Sequence, residues 1–282
     1  MQIIETKNTR NWWPLADVNV PSEQFVAGGT LLQWQELDAP ENAKMYQNSW
    51  VTQDDWQLLL AAGTDAKLIN SEGEKLAWFD TGKGPSVTAS NDSFFLLYPW
   101  DLLRLNEQIV GALNESECIG EVSPAAHIEG VIKVGAGTRI LPGVFIEGNA
   151  VIGENCKIGP NCYIRGNTAI ADGVHIGQAV EVKNSIVGHG SSIGHLSYVG
   201  DSVIGSKVNF GAATVTSNLR HDGKNHRTSV DGALVDTGRR KLGSIVGDHV
   251  HTGIHTAIFP GRKLGPYATT RPNENVENDI VE

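Results

Sequence analysis

The sequence predicts a mainly β protein, in which a small α+β domain precedes a parallel β-helix of hexapeptide repeats. Three observations carry this reading. First, Val122, Ile128, Val134, Ile140, Ile146, Ile152, Ile158, Ile164, Ile170, Ile176 and Val182 are β-branched aliphatics placed six apart without a miss. A period of six means three short strands per turn, each sending one side chain to an interior axis. Second, glycine follows the inward residue at Gly135, Gly153, Gly159 and Gly177, where a narrow coil turns and a Cβ would crowd the next strand. Neither chance alternation nor the apolar run of a buried α/β strand reproduces that register. Third, all seven tryptophans (Trp12, Trp13, Trp34, Trp50, Trp56, Trp78 and Trp100) precede the repeats, which marks a domain boundary.

Within the first domain, assigned to residues 1–116, residues 66–70 and 75–79 flank Ser-Glu-Gly-Glu and read as a hairpin, and Ser93 to Leu97 read as a strand. Thr52 with Asp55 resembles a capping box opening a short helix that stops at Gly63. Asp101 is a candidate N-cap for a second helix with Leu102, Leu105, Ile109 and Leu113 on one face. That helix is expected to cover the open end of the solenoid, where edge strands would otherwise aggregate. The tryptophans are expected to form the core of this domain rather than to stack on sugars.

The solenoid is assigned to residues 117–272 and a tail to 273–282. Past Val182 the register slips by one, giving Val187-Gly188, Ile193-Gly194 and Val199-Gly200, and slips again to Ile204-Gly205 and Phe210-Gly211. A shortened corner re-aims side chains, as a bulge does, so function is sought there. The pattern stops over residues 217–244 and resumes at Val246-Gly247, Thr252-Gly253, Ile258, Leu264-Gly265 and Thr270. An interruption of that length reads as a loop pushed out from the wall, of the kind that carries function.

With 282 residues, 40% of them hydrophobic, the chain can bury a large core across two domains. A formal net charge of -10 argues against a nucleic-acid partner, because phosphate backbones call for a basic face. No apolar run approaches the roughly 18 residues of a membrane span, and the start MQIIETKNTR lacks the apolar stretch of a signal peptide, so a cytoplasmic location is expected. Cys118, Cys156 and Cys162 have no CxxC spacing and read as ordinary thiols of the coil wall.

Arg165 and Lys183 each follow an inward residue and are one coil apart, so they should stack at about 4.8 Å on one wall. Two cations so placed repel by about 3 kcal/mol at an effective dielectric near 20, which an intervening phosphate would relieve. Spacing leaves open the alternative that each pairs with a carboxylate such as Glu181 or Glu147. His195, in Gly-His-Leu-Ser-Tyr-Val-Gly between the two slips, is a side chain able to accept a proton near neutral pH, though a lone surface histidine is commonly inert. Asn209 follows one coil later, and the small residues after it let the amide of Ala212 approach a ligand. The excursion carries Arg220, Lys224, Arg227, Arg239, Arg240 and Lys241 against Asp222, Asp231 and Asp236. It reads either as a seat for an anionic ligand or as a solvated charge run.

The segment EVKNSIVGHGSSIGHLSYVGDSVIGSKVNFGAATVTSN, residues 181–218, closely resembles the acetyltransferase half of the bifunctional sugar-1-phosphate nucleotidylyltransferase / glucosamine-1-phosphate N-acetyltransferase family. The continuation NLRHDGK and DTGRRKLGSIVGDHVHTGIHTAIFPG is similar to its archaeal-type branch, and YPWDLLRLNEQIV at 98–110 to that group's linker helix. The likeness covers about residues 118–265. It implies a left-handed β-helix and a homotrimer with sites between neighbouring solenoids. It further implies acetyl-CoA as co-substrate, an amino-sugar 1-phosphate as acceptor, and no metal requirement. On the matching positions it implies His195 as general base and the Ala212 amide as oxyanion donor. Arg165, Lys183 and Tyr198 match the sugar-phosphate contacts, Asn209 and Asn218 the residues that orient the amino sugar, and Lys224 and Arg227 the basic residues of the archaeal-type loop.

Some features depart from that pattern. No Gly-rich nucleotide loop stands near the start, and about 100 residues do not hold the usual nucleotidyltransferase sheet. Uridylyl transfer is therefore expected to be absent, with the first domain a reduced remnant or a cap. The stretch past Leu264 is short where the family's coenzyme A contacts lie, and Ile254 stands where the bacterial branch has serine. Two further readings follow: a non-catalytic trimeric sugar-phosphate binder that keeps the pocket, and a zinc hydratase of the γ-carbonic-anhydrase type built on His249, His251 and His255.

Overall fold

A computed structural model of the chain describes residues 1–5, 12–15 and 21–281. The repeat residues wind into a solenoid with three parallel sheets of eight, six and eight strands. Each inward side chain sits directly on its counterpart in the next coil. Val134, Ile152, Ile170, Val187, Ile204, Val246 and Leu264 form the column of the first sheet. Val122, Ile140, Ile158, Ile176, Ile193 and Phe210 form that of the second, and Ile128, Ile146, Ile164, Val182 and Val199 that of the third. Most of these are fully buried in one continuous core, and each contributes about 1.5–3 kcal/mol of hydrophobic stabilisation. Val122 departs from the pattern because no coil lies beneath it: it is 36% exposed.

The two slips are two shortened corners between the third and first sheets. Val187 pairs with Ile170 and Ile204 with Val187, one residue less than the repeat below them. In the longer corners the left-handed place is taken by Gly148 and Gly166, with φ of 91° and 68°. In the shortened ones Asn184 and Asp201 take it, with φ of 47° and 49°, a region that asparagine and aspartate tolerate better than other side chains. The same corner of the next coil opens into the excursion: the third-sheet strand Val215–Thr216 ends just before it and the first-sheet strand Ile245–Val246 follows it. Between them Arg227–Val230 and Ala233–Asp236 form an antiparallel hairpin. At the far end Asn275–Val276 pairs with Ala257–Ile258 and Ile280 bridges to Leu264, so the winding continues through residues assigned to a tail.

The first domain holds a five-stranded sheet with spatial order 2–4, 43–46, 75–79, 67–69, 86–88. Its Lys67–Ile69 and Lys75–Phe79 strands are the expected hairpin. Thr52 caps the helix Gln53–Ala61 by accepting the Asp55 amide, but the Asp55 carboxylate turns inward to the hydroxyls of Ser90 and Ser93 instead of completing a box. The box belongs to Thr30 and Gln33, at the head of a helix Leu31–Asp38 that the sequence reading did not foresee. The strand expected at 93–97 is reduced to Phe94–Phe95, paired with Ser49–Trp50. Trp12, Trp50, Trp56, Trp78 and Trp100 are buried, as core residues should be.

The helix Asp101–Gly111 lies along the side of the solenoid rather than over its end. Asn184 donates to the Glu107 carboxylate at 2.7 Å, Asn106 to the Asn167 carbonyl at 2.8 Å, and Asn149 to the Val110 carbonyl at 3.0 Å. Three coils are thus pinned to one helix. Leu102, Leu103, Leu105 and Val110 share a buried cluster with Ile186, Val203 and Ile245 of the first sheet, which joins the two domains through a single apolar seam. Asp101 is not an N-cap. It is the first helical residue, and its carboxylate accepts the preceding amides of Leu97 and Tyr98. No helix among the described residues is long and apolar enough to cross a membrane.

Candidate active site

Strand pairing places Arg165 beside Lys183 on the outer face of the third sheet, as the spacing required. The two cations are not left to repel each other. Arg165 Nε donates to Glu181 Oε1 at 2.8 Å and Lys183 Nζ to Asp201 Oδ2 at 2.6 Å. Both charges are therefore compensated within the chain, and the repulsion argument for a phosphate loses its force. Spacing could not decide this, because Asp201 reaches Lys183 only through the second shortened corner.

Asp201, 2% exposed, gathers three side chains. Besides Lys183 it accepts the amide of Asn184 at 3.1 Å and that of Asn218 at 2.5 Å. Asn218 also donates to the Tyr198 hydroxyl at 3.0 Å. Burial pushes the Tyr198 phenol up, with Asp201 and Glu181 nearby adding to the effect, so it stays a neutral donor and acceptor. Gly200 makes room for this group: a Cβ there would lie 2.4 Å from Tyr198 Oη and 2.7 Å from Asn218 Nδ2.

The excursion is anchored to the same corner. The imidazole of His226, 2% exposed, faces the Asn218 carbonyl at 3.0 Å, and burial holds its pKa down. Arg239 forms a two-pronged pair with Glu107 of the long helix at 2.5 and 3.3 Å. Arg220 is engaged by Asp222. Lys224 and Arg227 are exposed, and neither side chain has a hydrogen bond or ion pair among the described residues.

His195 and Ala212 belong to the neighbouring corner, between the second and third sheets. Residues 211–214 form a turn closed by the Thr214 amide on the Gly211 carbonyl at 3.1 Å, with Ala213 left-handed at φ 61°. That is the type II pattern, whose second residue has no internal partner for its N–H. The Ala212 amide accordingly has no hydrogen-bond partner among the described residues. The Ala213 amide donates to the His195 carbonyl at 3.1 Å, so the exposed His195 lies one coil below the free amide. The strand Tyr198–Gly200 runs from this corner to the other, a span of about 7 Å at ordinary strand rise. Asn209 stands apart, on the outer face of the second sheet between Ser192 and His251.

Sequence reasoning missed Glu107, Gly200, Asp201 and His226. Of these, Gly200 and Asp201 stood in the flagged shortened corner. Among the described residues no three His, Cys, Asp or Glu side chains gather as metal ligands. His249 lies in a left-handed corner with its ring stacked on Tyr267 at 4.7 Å, while His251 bridges to Asn209 and Thr269. The three histidines of the zinc reading therefore do not converge within a chain. Cys156 and Cys162 are buried free thiols, and burial raises Cys162 to about 12.

Residues 128–258 match the family model described as the GMPPB C-terminal domain. A bifunctional sugar-1-phosphate nucleotidylyltransferase/acetyltransferase of Sulfurisphaera tokodaii is 40% identical over 222 residues, 79% of this chain and 51% of that protein. The bifunctional protein GlmU of Methanococcus maripaludis is 46% identical over 183 residues, 65% of this chain and 44% of that protein. The chain is thus similar to part of each of these bifunctional proteins. It spans about half the length of these relatives. Among solved structures, the UDP-N-acetylglucosamine acyltransferase of Francisella novicida shares 16% identity over 58% of this chain and 63% of that one, with a TM-score of 0.30. Residues 181–218, on which the resemblance read from the sequence rests, span both corners described above.

Proposed function

We propose that the chain transfers the acetyl group of acetyl-CoA to the amino nitrogen of a hexosamine 1-phosphate, glucosamine or galactosamine. The observation that carries the reading is the juxtaposition of His195 and the free Ala212 amide on consecutive coils. His195 takes the proton as the amine attacks the thioester carbonyl; the C–N bond forms, the C–S bond breaks, and the thiolate leaves to be protonated. The Ala212 N–H faces the oxygen on which charge develops. Tyr198, Asn218, Lys183 and Arg165, about one strand away, hold the sugar phosphate, and Asn209, Lys224 and Arg227 complete the site in a homotrimer from a neighbouring solenoid. Ile254, half-exposed and one coil beyond Ala212, offers the thioester an apolar wall.

The test is thiol release from acetyl-CoA against glucosamine 1-phosphate, galactosamine 1-phosphate and the unphosphorylated sugars. Release with an amino-sugar 1-phosphate at a kcat/KM well above that of the free sugar supports the reading. Release with none of them overturns it.

A further inference from the structure

We propose that Asp201 is a positioning residue of the sugar-phosphate site, orienting Lys183 and Asn218 toward one acceptor. The inference rests on the function proposed above and adds a residue to its binding machinery.

Asp201 stands in a column of corner residues that reads Gly148, Gly166, Asn184, Asp201, Asn218 in successive coils. The lower two carry no side chain. The upper three form a ladder in which the central carboxylate accepts an amide from each neighbour, Asn184 on Oδ1 and Asn218 on Oδ2. Lys183 Nζ also reaches Oδ2. A carboxylate so enclosed accepts bonds in fixed directions, and each bond it accepts fixes the donor. With the Lys183 side chain 13% exposed and that of Asp201 3% exposed, the ammonium has one hydrogen committed to the carboxylate and two left to donate. Asn218 is held likewise: its side-chain amide bridges Asp201 and Tyr198, while its main-chain carbonyl faces the His226 imidazole. The missing Cβ at Gly200 keeps that face open.

Asp201 has an opposite possible effect, because a carboxylate beside Lys183 cancels the charge that attracts phosphate. The two effects predict opposite signs. If Asp201 acts mainly as a counter-charge, Asp201→Asn strengthens binding of the sugar phosphate; if it positions, the same change weakens it.

The experiment measures KM and kcat of the full chain for the amino-sugar 1-phosphate, with melting followed in parallel, for wild type, Asp201→Asn, Lys183→Met and the double variant. The expected result is a KM raised about 10-fold or more in Asp201→Asn, with kcat changed much less. The double variant should show a KM well below the product of the two single effects, exceeding that of Lys183→Met only by the part that acts through Asn218. Should Asp201→Asn fail to fold by stranding a buried ammonium, the double variant, which removes that ammonium, supplies the comparison with Lys183→Met. A KM in Asp201→Asn that is unchanged or lower, or fully additive effects in the double variant, overturns the positioning role while leaving the functional reading intact. A wild-type chain with no turnover on any amino-sugar 1-phosphate overturns both.

Discussion

His195 and Ala212 share one corner of consecutive coils, tied by the Ala213 amide on the His195 carbonyl at 3.1 Å. The fold supplies the free N–H of Ala212 as a by-product of its turn type. A lower corner of the same column carries Pro142 in that place, in a turn closed by the Val144 amide on the Leu141 carbonyl, where no N–H is needed. Ala212→Pro is therefore expected to fold with little change in melting temperature. It should lose about 10²- to 10³-fold in kcat, the usual effect of deleting one oxyanion donor. Parallel melting curves and steady-state rates check this; a proline variant with full turnover removes Ala212 from the mechanism.

Glycines 200 and 243 should respond differently to alanine. A Cβ at Gly200 meets the far ends of the Tyr198 and Asn218 side chains, whereas one at Gly243 would lie 2.1 Å from the Gly200 carbonyl oxygen. Side-chain tips can swing away and backbone cannot. Gly200→Ala is expected to raise KM for the sugar phosphate while costing less than about 1 kcal/mol of stability. Gly243→Ala should destabilise by about 3 kcal/mol or more. Urea unfolding of the two variants, alongside KM for the first, separates these effects.

The Asp101 carboxyl, partly buried, is pushed up to about 6 chiefly by desolvation. Its folded pKa lies above its unfolded value, so the native state holds the proton longer, and stability falls as pH rises from about 4 through 6. The loss is on the order of 3 kcal/mol for a shift of this size. Asp101→Asn keeps an oxygen for the Leu97 and Tyr98 amides and has nothing to ionise. Its stability relative to wild type should therefore increase from pH 4 to pH 7. Urea midpoints of both proteins across that range give the difference directly; parallel pH profiles would count against the assignment.

Glu107 and Arg239 join the long helix to the excursion across 132 residues of sequence. Glu107→Gln leaves the guanidinium, whose side chain is 17% exposed, without its charge partner, at a cost of about 1–3 kcal/mol. The excursion should loosen first. Limited trypsin digestion is expected to cut near Arg220 to Arg227 faster than in wild type, with the solenoid core intact.

The solenoid was legible because its inward positions recur at a fixed period and stack on themselves. Ile146 and Ile164 need no knowledge of the rest of the chain to be placed. The shortened corners were legible as missing residues. What stands in them was not: Asn184 and Asp201 read as turn formers, and only the winding shows that they face Lys183 and Asn218. The helix from Asp101 displayed an apolar stripe, but a stripe does not say which surface it meets, and the side wall of Ile186, Val203 and Ile245 proved its partner. Arg165 over Lys183 followed from spacing, whereas the pairing of each with a carboxylate depended on side-chain reach. His226 and Glu107 carry no local signal, since their partners are set by the course of the excursion.

The most direct measurement of the central claim is the turnover of acetyl-CoA with an amino-sugar 1-phosphate by His195→Ala, beside wild type, with mass in solution determined for both. The account predicts an unchanged assembly and a kcat lower by about 10²- to 10⁴-fold, the usual contribution of a general base. Equal turnover in the two proteins contradicts it.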